Sequence, residues 1–123
     1  MTAPLLALAA LACGCVAATV TRTGGPDGQA RIEVDRGETY VVRALFDGVA
    51  TEALTYRLEA LREGAAGRSQ SSQGGAFEAA AGRADTLSTL RVSALPGDHF
   101  HARLVVSRDG EPVSESVVEE TVR

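Results

Sequence analysis

The 123-residue chain has room for one domain. Its net charge of -4 at pH 7 speaks against a nucleic-acid binder, which needs a basic surface. All 12 basic residues are Arg, and there is no Lys, Asn or Trp; Arg offers flat, multi-donor contacts that Lys cannot.

Residues 1–18 read apart from the rest. The apolar run from Leu5 to Ala18, with Pro4 before it, is shorter than the roughly 20 residues a helix needs to cross a bilayer. It fits the apolar region of a secretory signal, with Val16-Ala17-Ala18 as the small-residue cleavage site. No Lys or Arg precedes the run, so a hydrophobic first strand and a different start codon are the alternatives. Both cysteines, Cys13 and Cys15, lie inside this segment. Cleavage after Ala18 would remove them, and disulfide, redox and zinc-thiolate readings would go together. Lipidation of Cys13 or Cys15 is the lesser reading, because neither has a Leu three residues before it.

Residues 19–29 hold Gly24, Gly25, Pro26, Asp27 and Gly28 and are expected to form a flexible leader, with the domain proper over 30–123. Alternating segments then recur at about 8–12 residues between turn signals, the pattern of an all-β fold. Ala30, Ile32 and Val34 alternate with Arg31 and Glu33; Tyr40, Val42, Ala44 and Phe46 share one face of the next strand. Leu54, Tyr56, Leu58 and Ala60 do the same, and their strict alternation favours a strand over a helix. From about Arg68 to Ala79 comes a strand made largely of Ser, Gln and Gly, with so little apolar surface that it is expected on an exposed sheet surface or edge. Leu87 to Ser93 turns Leu90 and Val92 inward, and Phe100, Ala102, Leu104 and Val106 alternate with His101, Arg103 and Val105. Asp109-Gly110 predicts a hairpin into a last strand over Val113 to Val122. The expected fold is an antiparallel, immunoglobulin-like β-sandwich of about seven strands, lacking the Cys–Trp–Cys centre of antibody domains.

Nothing in the sequence assembles a catalytic site. His99 and His101, two apart on a strand, face one side and lack an evident third metal ligand. No Gly-x-Ser-x-Gly elbow occurs, and Gly64-Ala65-Ala66-Gly67-Arg68-Ser69 lacks the Lys and following helix of a phosphate loop. Glu119-Glu120 reads as a solvated pair near the end of the chain. The expectation is a non-enzyme with no cofactor and no metal.

Leu61-Arg62-Glu63-Gly64, Gly67, Ser69-Gln70 and Gln73 form the most distinctive run. With weaker matches through Leu87-Ser88, Leu90, Val92-Ser93, Pro96-Gly97-Asp98, Val105-Val106-Ser107 and Asp109-Gly110, this run resembles the CsgC/CsgH family of curli assembly proteins. Gln73-Gly74-Gly75-Ala76-Phe77 is closer to the CsgH branch. The resemblance implies a periplasmic immunoglobulin-like sandwich that keeps an amyloid-forming curli major subunit of the CsgA type from forming amyloid before export; a monomer without stable membrane insertion is the accompanying expectation. The Cys-x-Cys pair that CsgC carries before this loop has no counterpart in Thr51-Glu52-Ala53-Leu54-Thr55-Tyr56, so any redox role of that pair does not carry over.

Amyloid grows when extended Gln-, Ser- and Gly-rich segments add to an open edge. A polar strand that such segments visit but cannot extend from would interrupt this. Ser69, Gln70 and Gln73 supply that chemistry, and outward Arg57, Arg62 and Arg68, with Arg43 and Arg103, would attract acidic client segments. These are the expected client-binding residues; the competing reading is a solvated face with glycines that only shape turns. A generic immunoglobulin-like surface or adhesion module, lipid-anchored or not, is the second functional reading, and a small metal or redox protein the third.

Overall fold

The computed structural model describes residues 19–123, so the segment expected to be a signal, with Cys13 and Cys15, lies outside the described residues. Among the described residues there are strands and turns and no helix. The strands are β1 (Thr19–Gly25), β2 (Gly28–Asp35), β3 (Thr39–Gly48), β4 (Glu52–Gly64), β5 (Gly67–Ala79), β6 (Ala84–Ser93), β7 (His99–Arg108) and β8 (Glu111–Thr121).

All pairings are antiparallel, in the order β5-β4-β7-β8-β1-β2-β3-β6. The all-β, antiparallel expectation holds, but there are eight strands rather than seven. They form one curled, nearly closed sheet rather than the two separate sheets of an immunoglobulin sandwich. The extra strand is β1, in the segment expected to be a leader. Thr19–Thr23 pairs with β8, then Gly24 and Gly25 pair with β2. The glycine cluster is the corner of a hairpin, and the β-branched Val20, Thr21 and Thr23 before it suit extended backbone.

Period-two alternation places the core as expected. Tyr40, Val42, Ala44 and Phe46 of β3 face Leu54, Leu58 and Ala60 of β4 and Phe100, Ala102, Leu104 and Val106 of β7 across the interior, all buried. Tyr40 meets Phe100 edge-on at 5.2 Å between ring centres, and Phe46 meets Phe77 at 5.6 Å. Curling the sheet brings its two end strands, β5 and β6, near one another without backbone pairing between them. A hydrogen bond from the Ser88 hydroxyl to Gln73 Oε1 spans that seam.

Candidate functional site

The Ser/Gln strand lies where its composition placed it. β5 ends the strand order, with one side paired to β4 from Glu52↔Ala79 to Gly64↔Gly67 without a register shift. Gly67 opens the strand with φ +119, a conformation L side chains rarely adopt, which lets a two-residue turn deliver the chain straight into that pairing. Between Ser69 and Phe77 the strand has no charge, no Pro and no bulge, and only Ser71 and Phe77 are partly covered. Proteins usually blunt an open edge with such devices, and β5 lacks them. The other end strand, β6, has them: its register with β3 shifts between Ala44 and Leu45, and Asp85 and Arg91 charge it.

Register separates the expected client-binding residues onto two faces. Ser69, Ser71 and Gln73 lie opposite Arg62, Ala60 and Leu58 and face the interior side. Ser69 and Gln73 stay exposed there, and Ser71 is partly covered. Gln70, opposite Leu61, and Arg68, opposite Glu63, face outward with Arg57. Arg62, expected outward, has the parity of Leu58 and Ala60 and points inward. Its side chain is only 14% exposed and pairs with buried Asp98 at 3.3 Å, leaving Arg62 Nε without a hydrogen-bond partner. Asp98 also accepts the Leu95 backbone N–H at 2.9 Å, so this pair pins the β6–β7 loop to β4. A Cβ at Gly64 would lie 1.7 Å from Asp98 Oδ1; the glycine is required by this close approach.

The outward arginines near β5 are already engaged. Arg57 pairs with Glu59 at 3.0 Å, Arg68 with Glu63 at 3.5 Å and Arg103 with Glu115 at 2.6 Å. Each such exposed pair contributes little to stability but lowers the positive potential a partner would sense. Arg43 on β3 and Arg91 on β6 have no ion-pair partner among the described residues. They sit on neighbouring strands of the outer face, since Arg43 lies opposite Thr89 and Val41 opposite Arg91. His99 and His101 flank Glu119 on the outer face, at 4.0 and 3.8 Å.

Glu120 departs from the solvated reading. It is 4% exposed and held by Arg36 at 2.5 to 3.0 Å and by Tyr40 Oη at 2.8 Å. The donated hydrogen bonds, chiefly from Arg36, hold its carboxyl below the usual carboxylate range, while burial, with the carboxylate, pushes the Tyr40 phenol up. The cue was available in the parity of β8, where Ser116, Val118 and Glu120 form one inward row that Val122 continues just past the strand.

A family model described as "CsgH protein" matches residues 29–116. Among solved structures, the solution structure of R. palustris CsgH aligns with a TM-score of 0.56 at 25% identity, covering 78% of this chain and 88% of that one. The E. coli curli protein CsgC aligns with a TM-score of 0.62 at 21% identity, covering 72% of this chain and 96% of that one, which shows the shared fold. No curated protein matches. The family model spans well over half of the sequence, across β2 to β7 and into β8, and on that ground the chain belongs to the CsgH family.

Proposed function

We propose that this protein is a periplasmic, monomeric chaperone-like inhibitor of curli subunit amyloid, acting through transient contacts with the unfolded amyloid-forming subunit. The observation that carries the reading is β5: an end strand of 13 residues, without charge, Pro or bulge from Ser69 to Phe77, and met across the seam by Ser88 at Gln73 without backbone pairing. Its free backbone groups can pair with an extended segment, and Ser69, Gln70 and Gln73 present to that segment the amide and hydroxyl chemistry of amyloid-prone sequences. A fibril end that docks on β5 cannot be extended through it, because the far side of β5 is occupied by β4. A segment paired to β5 is thereby withheld from a fibril end.

Electrostatic attraction of acidic client segments is assigned to Arg43 and Arg91 in the first place, since Arg57, Arg62 and Arg68 are neutralised by Glu59, Asp98 and Glu63. Residues 1–18 are read as the export signal, and the function needs neither catalysis nor a cofactor.

The test follows amyloid growth of a curli major subunit by dye fluorescence, with an unrelated all-β domain as control. A lag extended well beyond the control at substoichiometric ratios is expected. No delay at any ratio up to equimolar overturns the proposal.

A further inference from the structure

The buried Glu120 forms one wall of a cavity of about 690 Å³, within the few hundred to one thousand Å³ usual for small-ligand sites. The cavity opens at the end of the sheet where the β2–β3 turn, the β6–β7 loop and the end of β8 converge. Ala94, Pro96, Val122 and the Tyr40 ring give it an apolar lining. Tyr40 is fixed by Phe100 edge-on and by its hydrogen bond to Glu120, so the lining is set before any ligand arrives.

The chemistry lies in how Arg36 is used. A guanidinium has five N–H groups in a rigid plane and can offer two forks, one from Nε and Nη2, the other from Nη1 and Nη2. Nε and Nη2 donate to the two oxygens of Glu120, and Nη1 donates one hydrogen to the Val34 carbonyl at 3.3 Å. One N–H on Nη1 and one on Nη2 remain. The second fork lies between these two nitrogens, and the side chain that carries it lines the cavity and is 46% exposed. Glu120 fixes the guanidinium plane by accepting from Nε and Nη2.

We propose that this cavity binds a small amphipathic carboxylate. The carboxylate would take the remaining Arg36 fork in a two-bond contact, and its hydrocarbon body would lie against Ala94, Pro96, Val122 and Tyr40. A bidentate carboxylate is favoured because both of its oxygens match the fork, whereas a neutral amide offers only one acceptor. An ammonium would meet Arg36 with like charge, whereas Glu38, the other carboxylate besides Glu120 that lines the cavity, is exposed and screened by solvent. The site is separate from β5, and the inference does not depend on the amyloid reading.

The test is a titration of the protein with hexanoate, followed by two-dimensional amide NMR, with hexanamide and hexylammonium as controls. Saturable shifts at Ala94, Val122 and Arg36 are expected, with hexanoate binding about tenfold more tightly than hexanamide and hexylammonium not at all. Arg36→Lys keeps a cation beside Glu120 but removes the fork, and should abolish the tenfold preference. Should that variant fail to fold, Ala94→Leu fills the cavity and should abolish hexanoate binding. Absence of saturable shifts, equal affinity for the three probes, or an unchanged preference in Arg36→Lys overturns the proposal, as does unchanged binding in Ala94→Leu.

Discussion

Glu120→Gln removes the charge that Arg36 and Tyr40 are arranged around, while keeping its shape. Hydrogen bonds to a charged group contribute about 1.5–3 kcal/mol each, and the half-exposed Arg36 recovers part of its loss from water. The expected cost is about 2 kcal/mol by chemical denaturation at pH 7. Because the folded Glu120 holds its proton less tightly than its ordinary value of 4.5 implies, its contribution is complete above that value and fades as pH falls through the lower folded value. The gap between wild type and Glu120→Gln should therefore close in strong acid; a constant gap would assign the cost to packing. Gly64→Ala is a second single-atom case. Its Cβ would strike the Asp98 carboxylate, whose other bonds hold Arg62 and Leu95 in place. A loss of about 2–3 kcal/mol is expected, seen as a fall in Tm of roughly 10 °C or more for a domain of this size.

At the scale of the strand, β5 and its neighbours make separate contributions that mutation can divide. Gln70→Lys with Ser72→Lys places charge on the exposed outward side of β5 without touching the core. The pair should leave Tm within about 2 °C and shorten the amyloid lag toward the control value, because a charged edge resists strand addition. Arg57→Gln and Arg68→Gln remove cations already matched by Glu59 and Glu63, so the lag should change little at any salt concentration. Arg43→Gln with Arg91→Gln should shorten the lag at low ionic strength and have a smaller effect at about 0.5 M salt, where the screening length is only a few Å. Equal effects of the two arginine sets would remove the distinction drawn from their pairing.

Across the whole molecule, β1 joins the two halves of the sheet by backbone pairing to β8 and then to β2. From Val20 to Gly25 its residues are exposed, so it adds hydrogen bonds and covers an edge rather than filling the core. Deleting residues 19–23 should lower stability modestly and increase self-association, read by light scattering, because β8 would then present an open edge. A fully stable, monodisperse variant would show that β1 is dispensable.

Strand positions, their inward rows and the polar character of β5 were legible in the residues, because strand alternation is a local property with a period of two. The same rule carried unused information: the parity of Leu58 and Ala60 points Arg62 inward, and that of Val118 and Val122 points Glu120 inward. Other features were beyond local reading. Arg36 and Glu120 are 84 residues apart, and Arg62 and Asp98 are 36 apart. Those pairs, the need for glycine at position 64, the β1 link between β8 and β2, and the choice of which arginines remain unpaired depend on how the sheet curls. Pattern along one strand records which side chains face inward; which charge meets which is decided only when distant strands are brought together in space.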